Sequence, residues 1–361
     1  MSFALSALGL GTEVRWPRLR VLADGQVLAG AFEADVVSNN HFAADRFQVS
    51  VALGAEPMRV LELVEREAVE VEVLVSLDDG AGFSSLVVGD VDRLEVDPLH
   101  GVVRLEGRDF SSRLIEARAE ESFVNLTASE IATRLAARHG LAADVQATTT
   151  PVGRLWEANR ERLLLDQFAR ATTEWDLLGA LAGVEGFDLW VTGRILHFRR
   201  DGATRAMRVS LGEATSVRLE RSLTLAGGVE VVVRSWSAER QQGFTEKARR
   251  AGRGGAGAKV RRYVYVIPNL TPAEAALVAR RRLEEISRHE RVVAIEMPGE
   301  LDIAPRMKLA FAGSGTGFDQ EYWVDRVERR LSGMHGFRQT VHARNGNGDG
   351  SGGGAGAWSG S

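Results

Sequence analysis

"EYWVDRVERRLSGMHGFRQTVHAR", residues 321–344, is the stretch on which the fold class turns. Its halves read as two strands joined by a turn about Gly333 and Gly336, with Phe337 and Val341 facing one way and Arg338, Thr340 and His342 the other. A strand alternates its side chains between two faces, so a period of two is its signature. The same period runs through "RFQVSVAL" (46–53), where Phe47, Val49, Val51 and Leu53 share a face, and through "VEVEVLVSL" (69–77), where Val69 to Leu77 do. Asp24-Gly25, between "RVLA" and "QVLAG", tolerates the positive φ of a two-residue hairpin. The first hundred residues therefore read as a meander closing toward a barrel or sandwich.

Composition narrows the classes. At 361 residues the chain exceeds the size at which one core keeps growing, so two or three domains of about 100–150 residues are expected. The formal net charge of −4 makes no global case for nucleic-acid binding. There is no cysteine, which removes disulfides, thiolate metal sites and cysteine nucleophiles together and fits folding in a reducing cytosol. The apolar start "MSFALSALGLGTEVRW" lacks a basic segment and turns acidic at Glu13, unlike a signal peptide. No later run reaches the roughly 18 apolar residues of a membrane span. A soluble protein made in the cytosol is the expectation.

From about residue 120 the period becomes helical. In "LTASEIATRLAARHGL" Thr127 is placed to cap, Glu130 to close a capping box, Leu126 and Ile131 to form a hydrophobic staple, and Gly140 to stop the helix. A second helix starts near Thr173, carries Glu174 and Asp176 in its positive first turn, buries Trp175, Leu178 and Leu181, and ends by Gly186. A hairpin about Thr192-Gly193 follows. After residue 200 strands return, and "NLTPAEAALVARRRLEEISRHE" predicts a third helix with Thr271 as cap, Pro272 in the first turn, Glu274 as the box acid and Ala276, Ala279, Leu283 and Ile286 as its apolar stripe. The plan is β, then α/β, then β with an insertion. The tail "NGNGDGSGGGAGAWSGS" reads as a flexible Gly/Ser segment.

Residues in chemically suggestive patterns are few. The seven histidines, at 41, 100, 139, 197, 289, 335 and 342, are scattered, and "HERVV" (289–293) has Val293 where a zinc-protease helix needs its second histidine. "GSGTG" (313–317) lacks the Lys-Ser/Thr of a phosphate loop and reads as a turn between strands. Asp78-Asp79 precede Gly80, where turn chemistry explains them. Trp16, Trp156, Trp175, Trp190, Trp236 and Trp323 lie in or beside regular elements, so packing in cores or interfaces accounts for them. No catalytic, cofactor-binding or metal-ligating residue is assigned.

One segment stands outside ordinary folding. "KARRAGRGGAGAKVRR" (247–262) holds seven Lys or Arg and no acid. It reads either as a long solvated loop or as an arm for an acidic partner or a phosphate backbone, in which Lys247, Arg249, Arg250, Arg253, Lys259, Arg261 and Arg262 are the partner-binding candidates.

The ordered set "VRLEGRDFSSRLIEA", "ERLLLDQFARATTEWDLLGALAGVEGFDLWVTGRILHF", "IPNLTPAEAALVARRRLEEI", "MPGELDIAPRMKLAFAG" and "YWVDRVERRLSGMHGFRQTVHAR" resembles the phage late control gene D family over roughly residues 10–345. The resemblance implies a mainly β chain with α+β insertions: two tube-type antiparallel β-barrel domains and a smaller mixed α/β domain. The corresponding boundaries are 1–115 for the first barrel, 116–200 for the α/β domain, 201–345 for the second barrel with the basic loop and a helix inserted at about 241–290, and 346–361 for the tail. It further implies a non-enzymatic baseplate hub of a phage, prophage or phage-tail-like particle. Such a hub is a homotrimer that joins the hexameric tail tube to a separate spike protein, with a distal tail protein and the tape measure protein as further partners and DNA met only in the lumen. No long β-helical spike follows residue 345. A tail-carried cell-wall hydrolase and a nucleic-acid-binding module using 247–262 are the alternatives from other classes.

Overall fold

The computed structural model describes residues 17–345 apart from breaks at 41–42, 79–81, 120–122, 124–125, 150, 153, 158–159, 164–172, 201–205, 238–241, 252–259, 268–269 and 271. The apolar N-terminal stretch and the Gly/Ser tail lie outside the described residues. The chain divides into two compact units, Met1–Gly202 with Pro298–Asp302 and Val327–Gln339, and Ala203–Met297 with Ile303–Arg326 and Thr340–Ser361.

The first unit begins with β1 (Arg18–Ala23), β2 (Gln26–Val27), β3 (Ala31–Asn39), β4 (Arg46–Ala52), helix α1 (Pro57–Val64), β5 (Glu70–Ser76), β6 (Ser84–Asp97) and β7 (Val102–Asp109). They pair antiparallel in the order β3-β4-β7-β6-β5-β1-β2. The sequence's period of two appears directly as burial: Val21, Val36, Val49, Val73 and Leu105 meet in one core. Asp24 and Gly25 take φ of 50° and 75°, as the two-residue hairpin requires. Gly107 is obligatory for a different reason, since a Cβ there would lie 2.4 Å from the Phe47 ring and 2.2 Å from a backbone oxygen. Helix α1 is a correction to the all-strand reading of this region. Pro57 at its start and Val60 and Leu63 as its buried pair were the available signals, but eight residues give too few turns for a periodicity to stand out.

Next come α2 (Ser111–Glu116), β8 (Leu126–Thr127), α3 (Ala128–Arg138), β9 (Ala142–Val145), β10 (Pro151–Val152), β11 (Arg154–Glu157), β12 (Arg160–Leu163), α4 (Glu174–Glu185), β13 (Asp188–Thr192) and β14 (Ile195–Arg199). The sheet β13-β14-β9 buries Leu189, Val191, Leu196 and Phe198 against Ile131, Leu135, Leu178 and Leu181 of α3 and α4. Both helices carry the expected termini. Thr127 and Glu130 form a reciprocal capping box and Gly140 adopts φ +69°, while Thr173 accepts from the Asp176 amide and Gly186 is left-handed. The hairpin after α4 turns at Gly193-Arg194, one residue later than expected, because Thr192 pairs with Ile195. Thr127→Ala is expected to cost about 0.5–2 kcal/mol through loss of the cap, read as a lower midpoint in urea; an unchanged midpoint would mean that the cap is redundant.

The second unit contains β15 (Ala206–Ser210), β16 (Ser216–Arg221), α5 (Leu223–Ala226), β17 (Gly228–Ser237), β18 (Gln242–Ala251), β19 (Arg261–Val266), α6 (Pro272–Arg288), β20 (Arg291–Pro298) and β21 (Lys308–Ala312). The last two strands, β22 (Glu321–Ser332) and β23 (Gly336–Asn345), are the opening hairpin. Phe337, Gln339, Val341 and Ala343 alternate into the interior, and Gly336 alone of the two turn glycines takes positive φ. The hairpin is shared between the units, residues 327–339 belonging to the first and the rest to the second.

The architecture is mainly β, in several largely antiparallel sheets. Among the described residues the strand paths are open, with β2 at one end, so no closed barrel is seen. No described helix is long and apolar enough to cross a membrane.

Candidate interaction surface

The basic segment does not form a loop throughout. Lys247, Arg249 and Arg250 belong to β18, and Arg261 and Arg262 open β19; the two flank β17, with β18 antiparallel and β19 parallel to it. Arg253 and Lys259 lie outside the described residues. The solvated-loop reading is thereby corrected for the strand residues. Alternating Gly/Ala spacing hid a strand because the pairing partner, "GVEVVVRSWS", supplies the apolar side chains.

One face of this sheet is a core. Val229, Val231 and Val233 of β17, with Phe244 and Ala248 of β18 and Tyr263 and Tyr265 of β19, pack on Ala275, Ala279, Leu283 and Ile286 of α6. The helix stripe thus runs through Ala275 rather than Ala276; its expected Thr271 cap lies outside the described residues, as does the Glu274 side chain. Arg250 turns into this layer. Its guanidinium, 14% exposed, donates to Glu290 at 2.8 Å and to the Leu225 carbonyl at 3.1 Å. Arg250→Ser should therefore cost about 1–2 kcal/mol, moderated because Arg221 also lies 3.6 Å from Glu290. Chemical denaturation measures it, and a neutral result would contradict the buried pair.

The opposite face is built differently. The register places Glu230 between Arg249 and Arg262, Val232 between Lys247 and Val264, Arg234 between Thr245 and Val266, and Trp236 beside Gly243. Four cations and three exposed apolar side chains, Trp236, Val264 and Val266, share it. Glu230, the acid on that face, is held by Arg262 at 3.1 Å.

Helix α1 carries the other concentration of exposed apolar residues that sequence reading missed. Met58 and Leu61, with Glu62, Glu65 and Arg66, line a shallow groove on its outer side, while Val60 and Leu63 are buried beneath.

The remaining polar groups read as structure. Among the described residues no cluster of three or more His, Asp or Glu could hold a metal ion. His197 stacks on Trp190 at 4.5 Å and bonds to Asp144 at 2.7 Å. The glycine-rich 313–317 segment is a turn between β21 and β22, tied by Asp319, which accepts from the Ser314 and Gly315 amides at 2.9 Å. Trp175 is buried, and Trp323 is covered by Arg288 and Lys308. In the first unit burial and the nearby Asp45 carboxylate push the Asp109 carboxyl well above its usual range, and burial lowers the Arg329 guanidinium to about 10, with Asp45 acting against it.

No protein-family model matches the sequence, and no curated protein does. Solved structures do. A tail protein from Neisseria meningitidis MC58 superposes with a TM-score of 0.67 at 16% identity, over 91% of this chain and 97% of that one. The 43 kDa tail protein of prophage MuSo2 from Shewanella oneidensis gives 0.66 at 15%, over 91% and 98%. An E. coli component of the type VI secretion system, described as structurally similar to T4 bacteriophage tail proteins gp27 and gp5, gives 0.54 at 9%, over 91% and 77%.

Proposed function

We propose, from a fold shared along nearly the whole chain with phage and prophage tail proteins, that this chain is a structural baseplate hub of a phage or phage-tail-like particle. The observation that carries the reading is mutual coverage: 91% of this chain matches 97% of a tail protein, so the likeness extends over both units rather than one module. A second observation supports it. The chain holds two β units, and in each a helix links one strand to the next, β4-α1-β5 in the first and β19-α6-β20 in the second.

Three copies would then present six such units around one axis, two tube-type barrels per chain, to continue a hexameric tail tube. A separate spike protein attaches below, the distal tail and tape measure proteins are neighbours, and DNA meets the hub only in passing through the lumen. The site of action is the virion tail tip, after synthesis in the bacterial cytoplasm. The role is mechanical: sheets and their edges do the work, and no catalytic residue is assigned.

Sedimentation velocity at micromolar concentration, alone and with tube and spike proteins, tests this. A closed ring of three is expected. A chain that stays monomeric under all of these conditions overturns the hub reading.

A further inference from the structure

We infer that the outer face of the β17–β19 sheet in one copy receives helix α1 of a second copy. The contact deepens the hub reading and rests on it, because it requires copies to associate.

The starting point is the sheet face itself. Trp236, Val264 and Val266 are 55%, 48% and 76% exposed there, interleaved with Arg234, Lys247, Arg249 and Arg262. Exposed apolar side chains on adjoining strands are costly to leave in water. A nucleic acid would satisfy the cations and stack on the indole, but it offers nothing to two aliphatic valines. The occupant that fits is a protein surface both apolar and acidic.

The chain carries such a surface. On α1, Met58, Leu61 and Val64 are 74%, 53% and 42% exposed, and Glu62 and Glu65 lie on the same outer side beside Arg66, whose charge is paired with Asp24. The dimensions agree. Residues three apart on a helix have Cβ atoms about 5–6 Å apart, close to the roughly 6.8 Å between Lys247 and Arg249, two residues apart on one strand. Three strands span about 10 Å, near the diameter of one helix. The apolar stripe of α1 would lie along Val264, Val266 and Trp236 while Glu62 and Glu65 meet Lys247 and Arg249. Because the two patches differ, the contact is heterologous, the kind that closes a ring when its rotation divides the circle.

Charge reversal tests it. Glu62→Lys with Glu65→Lys, and separately Lys247→Glu with Arg249→Glu, should each weaken self-association roughly tenfold or more, since each juxtaposes like charges; the four changes together should restore it. All four side chains are exposed, so unchanged thermal midpoints at dilutions where the parent is also dissociated serve as the folding control. A second readout uses the absence of cysteine. Leu61→Cys paired with Val264→Cys should give an oxidised ladder of covalent multimers, because a disulfide needs Cβ atoms about 4 Å apart, whereas Leu99→Cys with Val264→Cys should not. If the parent forms a ring but neither reversal weakens it and no ladder appears, this contact is wrong and the hub reading stands. A parent that stays monomeric even with tube and spike proteins, and gives no ladder, overturns both. Salt-dependent retention of single-stranded DNA by the parent, lost in Lys247→Glu with Arg249→Glu while self-association is unaltered, would reassign the face to nucleic acid and overturn the proposal.

Discussion

Glu174→Ala should lower the unfolding free energy by about 2–4 kcal/mol, the loss expected when one partner of a buried ion pair is removed. The carboxylate sits at the first turn of α4, with its side chain 3% exposed. It accepts from Arg138 through one oxygen and bonds His139 Nε2 at 2.6 Å through the other, and its own amide donates to the Ala117 carbonyl at 2.9 Å. One residue therefore joins the start of α4 to the end of α3. The loss falls short of a fully buried pair because Arg138 is 40% exposed and can turn to water. His139 is 15% exposed and is left facing an empty acceptor site. Urea denaturation of the variant measures the effect, and Asp176→Ala, on the exposed side of the same first turn, is the control expected to cost less. Equal losses in the two variants would show that Glu174 acts only through the helix dipole.

Asp109→Asn should stabilise the protein near neutral pH by about 1–3 kcal/mol and have little effect near pH 4. Asp109, at the end of β7, is 7% exposed. Its environment is Ser111, whose hydroxyl donates to it at 2.5 Å, and Asp45, whose charge adds to the effect of burial in raising its pKa. Asp45 also faces the buried Arg329 guanidinium. Arg329 thus offsets Asp45, while burial and the Asp45 charge together favour the protonated form of Asp109.

The sign follows. With the folded pKa above the unfolded one, the unfolded chain releases this proton first as pH rises past the ordinary carboxylate range. Folding then takes up a proton, and stability falls with pH until the folded group ionises too. An asparagine imitates the neutral acid at every pH, so the difference between variant and parent should grow from acid to neutral conditions. A difference independent of pH across that range would mean that Asp109 ionises normally in the folded state.

The two cases mark what a sequence can and cannot carry. Thr127, Glu130, Thr173, Gly140 and Gly186 were legible because capping joins atoms three or four residues apart. Phe47, Val49 and Val51, or Phe337 and Val341, were legible because one buried face imposes a period of two. Glu174 was legible as a first-turn acid, but its burial depends on Arg138 and His139, some 35 residues earlier. Asp109 carried only the local Ser111 contact, since its burial and the Asp45 charge that raise its pKa come from another strand end.

The basic segment makes the same division within sixteen residues. Its charge was plain, but its division of labour was not: Lys247, Arg249 and Arg262 stand on an open face while Arg250 is folded against Glu290. In a strand of Lys, Arg, Gly and Ala the apolar signal is too weak to show which side is in. Val229, Val231 and Val233 of β17 decide it, by setting the register that turns each arginine inward or outward. The sequence by itself therefore determined a mainly β chain, its capped helices and the position of its charge. The tertiary structure alone decided which of those charges are buried, paired or presented, because desolvation and Coulomb energy depend on distances across the fold that no local spacing encodes.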